Sequence, residues 1–173
     1  MRSKLMVLVS VSMLVTGTAF ATPEHMHELK PGSPEFEQLK TLAGTWKGTS
    51  KMEGGEEKEA TIEYKVTSGG SAVVETLFPG TAEEMISVYH DDANGKLSMT
   101  HYCALGNQPQ LDLKKAEGGH YVLSLSPSSS LSSETAHMDA LDLNLKGDEL
   151  IQTWTCHQPG KPDGATTISV KRV

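Results

Sequence analysis

From Thr45 to the end of the chain, apolar and polar residues alternate with a period of two, and turn-forming residues interrupt the alternation every eight to twelve positions. This pattern predicts ten strands: Thr45–Met52, Lys58–Val66, Ala72–Phe78, Met85–His90, Lys96–Ala104, Gln110–Lys115, His120–Ser126, His137–Lys146, Glu149–His157 and Ala165–Val173. The links include Glu53-Gly54-Gly55-Glu56, Ser68-Gly69-Gly70-Ser71, Asn94-Gly95, Gly118-Gly119 and Gly147-Asp148. Such residues supply the positive φ of tight turns, so consecutive strands are antiparallel neighbours. Ten meandering strands lose their exposed edges by closing into an up-and-down barrel, with a two-sheet sandwich as the alternative.

Ahead of the strands the period is helical. Ser33-Pro34-Glu35 supplies an N-cap, a proline at the first helical position and an acid in the first turn; Phe36, Leu39, Leu42 and Ala43 follow at three- and four-residue spacing until Gly44. One short amphipathic helix is expected there, making residues 33–173 a single all-β barrel domain closed by that helix. The longest break between strands, Ser126 to Ala136, is rich in serine and reads as a loop, with a lid over the barrel mouth as the sharper alternative.

Residues Met1 to Ala21 have the layout of an export signal: Arg2 and Lys4, an apolar run from Leu5 to Val15, and Ala19-Phe20-Ala21 as a small-x-small cleavage site. That run is too short to span a bilayer, which takes about 20 residues. The expectation is an exported, periplasmic or secreted protein without stable membrane insertion. Residues 22–32 form a polar lead-in whose His25-Met26-His27 reads as solvated tail rather than metal site. Without the leader, 13 basic residues face 22 acidic ones, a net charge of about −9 that excludes nucleic acid as a natural partner.

Strand parity then sorts the chemistry. Leu97, Met99, His101 and Cys103 share an inward face, leaving Ser98, Thr100 and Tyr102 outward. Leu150, Gln152, Trp154 and Cys156 share another, and His137, Asp139, Leu141, Leu143 and Leu145 a third. Cys103 and Cys156 are the only cysteines; in an oxidising compartment they are expected close together and bonded, with buried free thiols as the alternative. Cys156 and His157 point to opposite faces, which argues against a zinc site with His101 and Cys103. No Gly-x-Ser-x-Gly elbow or paired acids mark a catalytic centre. Glu63 lies outward, and Glu75 has apolar residues on both parities around it.

Gly44-Thr45-Trp46-Lys47-Gly48, following a helix and opening the first strand, resembles the Gly-x-Trp start of the calycins, the lipocalins and fatty-acid-binding proteins, and the Gly-Thr-Trp-x-Gly of nitrobindin-like haem barrels. The ten-strand meander covers nearly all of the chain after the leader, and the last strand sets Ile168, Val170 and Arg172 on one face. Thr100 to Pro109 resembles a segment recurrent in exported proteins of this shape. The resemblance implies that Arg172 crosses Trp46 as a structural plug at the closed end. It further implies an interior that takes a small apolar or amphipathic molecule.

Tyr64, Met99, His101, Cys103, His137 and Trp154 are the expected ligand contacts, within an interior that also holds Leu111, Leu113 and Leu123. Two other readings stand beside this one. Haem could be held by His101 or His137, as the nitrobindin likeness implies, although no cofactor is required; or the barrel could be structural, filled by its own side chains.

Overall fold

The computed structural model describes residues 31–173, so the leader and almost all of the lead-in, including His25-Met26-His27, lie outside the described residues. A helix α1 (Pro34–Lys40) precedes ten strands: β1 (Gly44–Met52), β2 (Glu57–Thr67), β3 (Ala72–Leu77), β4 (Met85–Asp91), β5 (Leu97–Tyr102), β6 (Gln110–Glu117), β7 (His120–Leu125), β8 (His137–Lys146), β9 (Glu149–His157) and β10 (Gly164–Arg172). Every strand pairs antiparallel with its chain neighbours, and β1 also pairs with β10. The sheet is a closed barrel, not a sandwich.

The β1–β10 seam depends on Gly48. It faces Val170, and a Cβ at that position would overlap the Ser169 carbonyl oxygen, so only glycine permits this approach. The helix caps one end of the barrel. Ser33 Oγ accepts from the Phe36 amide and donates to Asp91, while Phe36, Leu39 and Leu42 are buried beneath the cap. Tyr121 reaches up to donate to Gln38 Oε1 at 2.5 Å.

Trp46 completes this seal. Its ring is fully buried, its Nε1 donates to the Leu42 carbonyl at 2.8 Å, and the Arg172 guanidinium lies over its face, 4.3 Å from the ring centroid. Arg172 also donates to the carbonyls of Ala43 (2.8 Å) and Thr41 (2.7 Å), so one side chain satisfies acceptors just beyond the helix and covers the indole.

Two departures from simple alternation matter for the interior. β5 ends at Tyr102 instead of continuing through Ala104, because the Gly106 amide donates back to the Cys103 carbonyl (2.9 Å) and Gly106 takes φ +80°. A register shift between Met138 and Ala140 leaves Asp139 unpaired at a bulge and removes it from the inward row it was expected to share with Leu141.

Candidate functional site

Successive same-face residues of a strand lie about 7 Å apart along it, so the inward rows stack into layers. Ascending from the helix end, the rows read Val73, Glu75, Leu77 on β3; Tyr89, Ser87, Met85 on β4; Met99, His101, Cys103 on β5 and beyond; and Leu150, Gln152, Trp154, Cys156 on β9. Leu111, Leu113 and Leu123 are buried in the core. The lower barrel is filled, and above it comes a polar layer.

At the centre of that layer is Glu75, buried with no exposed surface. The Tyr64 hydroxyl donates to its Oε1 at 2.5 Å, the Tyr89 hydroxyl to its Oε2 at 3.0 Å, and Gln152 Nε2 to Oε1. Gln152 Nε2 also donates to the Tyr64 oxygen (2.7 Å), and its Oε1 accepts from Trp154 Nε1 (3.0 Å). Burial raises the Glu75 pKa, and hydrogen bonds from Tyr64, Gln152, Ser87 and Tyr89 oppose the rise. The same burial, with the Glu75 charge nearby, pushes both tyrosines well above their ordinary value.

Over this layer opens a cavity of about 420 Å³. Leu77, Phe78, Met85, Met138, Trp154 and Ile168 give it an apolar wall. His101, Cys103 and Cys156 also line it, while Ser50, Glu56, Lys58, Glu83 and Gln158 bring polar groups to it from the strand ends farthest from α1. The β5–β6 link is tied across to the loop that enters β8 by Asn107, whose Nδ2 donates to the Ala136 carbonyl at 2.8 Å.

His101 joins the polar layer to the cavity. It pairs with Ser87 across β4 and β5, and its Nδ1 lies 3.0 Å from Ser87 Oγ. Its ring packs against Trp154 with centroids 4.6 Å apart. Nε2 is buried and has no hydrogen-bond partner among the described residues. Burial lowers the His101 pKa to about 4, so the ring is neutral at physiological pH.

Of the six expected contacts, His101, Cys103 and Trp154 line the cavity; Tyr64, Met99 and His137 do not. Tyr64 is held by Glu75 and Gln152, and Met99 lies one step closer to the filled end than His101. His137 is buried beside the strand start, its Nδ1 donating to the Thr135 carbonyl (2.6 Å) and its ring 5.2 Å from that of His157. The expected bond between Cys103 and Cys156 is absent: both thiols are free, though they share the cavity wall. Burial raises both thiol pKa values, and the charge of Cys103 adds to the rise at Cys156. They are therefore poor nucleophiles near neutrality.

Leu77, Phe78, Met85, Met138 and Ile168 line the cavity without having been singled out from sequence. Inward parity marks several of them, but not their height in the barrel.

The site does not fit haem. The His101 imidazole is fully buried and packed against Trp154, with ring centroids 4.6 Å apart, so an iron with its macrocycle could reach Nε2 only if the wall rearranged. His137 is outside the cavity wall. Among the described residues, no cluster of three His, Cys, Asp or Glu side chains is arranged to hold a metal ion. No family profile and no curated protein sequence matches the chain.

Proposed function

We propose that this protein is an exported binding barrel that takes up a small apolar or amphipathic molecule non-covalently through the mouth opposite α1. The observation that carries this reading is the cavity itself. Its volume of about 420 Å³ lies within the range of small-molecule sites, roughly 300–1,000 Å³. Its wall combines aromatic, aliphatic and methionine side chains, with a few polar groups at fixed positions. Methionine adapts its shape to irregular ligands, and three methionines, Met52, Met85 and Met138, line this space. Export rests on the leader sequence.

Solvent extraction of the purified protein with mass spectrometry, and titration with the neutral fluorophore phenylnaphthylamine, test the reading. Saturable uptake is expected, and replacing Ile168 or Met138 by Trp should abolish it by filling the cavity. Uptake that these variants leave intact, or no uptake by a folded wild type, would favour a barrel that works without a ligand.

A further inference from the structure

We propose that the ligand is a neutral amphiphile whose polar end donates a hydrogen bond, an alcohol or a phenol, and that His101 Nε2 accepts it. This rests on the cavity being a binding site, and adds which chemistry the site selects.

The argument follows the hydrogens through the buried layer. Gln152 Nε2 donates to the Tyr64 oxygen, so the Tyr64 hydrogen is free to point at Glu75. Tyr89 donates to the other carboxylate oxygen, and Gln152 supplies a third donor. A group surrounded by donors on both oxygens is suited to the carboxylate form, which only accepts. Ser87 is the direct cross-strand partner of Glu75 and points into the same buried layer, so the carboxylate's field turns the hydroxyl hydrogen toward it. The Ser87 oxygen is then left to accept from His101, whose Nδ1 lies 3.0 Å away, so Nδ1 carries the imidazole hydrogen. Nε2 is a bare lone pair.

Position completes the case. Ser87, Glu75, Tyr64, Tyr89 and Gln152 are absent from the cavity wall, whereas His101 is part of it. Because Nδ1 is turned to Ser87 in the layer below, Nε2 lies on the opposite edge of a ring that belongs to the cavity wall. Nε2 is buried and has no partner among the described residues, so it is an acceptor with an unmet requirement. A single hydroxyl oxygen needs only a one-atom gap there, and the same wall carries the flexible side chains of Met85 and Met138. A carboxylate offers no hydrogen and would set its charge beside a neutral acceptor.

The test compares three molecules that share one alkyl chain: decanol, its methyl ether and decanoate, each competed against phenylnaphthylamine on the purified protein at neutral pH. Decanol is expected to bind about tenfold more tightly than the ether, the difference one hydrogen bond makes, and decanoate more weakly than decanol. In His101→Phe the gap between alcohol and ether should close. Equal affinities for decanol and ether in the wild type would overturn this inference and leave the cavity reading standing; decanoate binding most tightly would overturn it too, by placing a hydrogen on Nε2. Failure of all three to compete, with the fluorophore itself not bound, would overturn the cavity reading as well. Nitrogen NMR of wild-type His101 reads the tautomer without any variant: protonation at Nε2 in the free protein would also refute the proposal.

Discussion

Acid should weaken this barrel through one imidazole. Burial holds the His101 pKa at about 4, against an ordinary value of 6.5. At about 1.4 kcal/mol per pH unit, the gap corresponds to about 3 kcal/mol. The unfolded chain takes up the proton first, so the native state has its full stability above about pH 6.5 and loses it progressively down to about pH 4. Glu75 acts in the opposite sense: its raised pKa makes its contribution complete below the ordinary 4.5 and diminishing as pH rises above it. Comparing wild type with His101→Phe cancels Glu75 and isolates the imidazole. At neutral pH the variant should lose about 1 kcal/mol with the Ser87 hydrogen bond. Urea unfolding at about pH 7 and about pH 4 should then show the wild type losing about 3 kcal/mol more than the variant. Equal losses in the two proteins would mean that His101 takes up its proton in the folded barrel as readily as in the unfolded chain, and the account of a neutral, buried acceptor would be refuted.

Trp46→Ala should cost about 3–5 kcal/mol in denaturant unfolding, since it empties the fully buried site under Arg172; an unchanged midpoint would contradict the plug. Gly48→Ala should destabilise by at least about 1–3 kcal/mol, because the new methyl meets the Ser169 carbonyl across the β1–β10 seam, and a neutral result by the same measurement would show that the seam can yield. His157 lies between two acceptors, Asp163 Oδ1 at Nδ1 (3.0 Å) and the Ser133 carbonyl at Nε2 (2.9 Å), which only the imidazolium can satisfy together. Those bonds raise its pKa, so the protection of amides around Ser133, measured against the intrinsic exchange rate at each pH, should fall as pH climbs through the raised value; constant protection in that range would show that the loop is held by other contacts.

Sequence made much of the fold legible, for a physical reason. Alternation in a pleated strand fixes which side chains face inward, and His101 and Cys103 are buried while Tyr102 is half exposed. Glycine-rich turns fixed the order of neighbours, and the pairing of Trp46 with Arg172 follows from the closure of the last strand on the first. Height along the barrel axis was not legible, because it is set by the stagger between strands, which no single strand encodes. Tyr64 and Met99 are inward, as parity requires, yet they sit below the cavity, while Leu77, Met85 and Ile168 line it. The bulge at Asp139 was hidden for a similar reason, since one extra residue in β8 is visible only against its partner β9. Glu75 was ambiguous in its strand because the donors that accommodate it arrive from β2, β4 and β9.

The plug at the helix end gives the molecule a direction of traffic. With Trp46, Arg172 and α1 closing that end, a molecule taken up as proposed would enter and leave at the strand ends farthest from α1. On that reading the barrel would hold or hand over a molecule, not conduct it. A molecule anchored by its head at His101 would turn its tail outward toward Met52 and Leu105, both exposed at the brim. Lengthening the tail beyond the brim adds no buried surface, so the depth of the cavity sets an upper limit on the chain length it rewards.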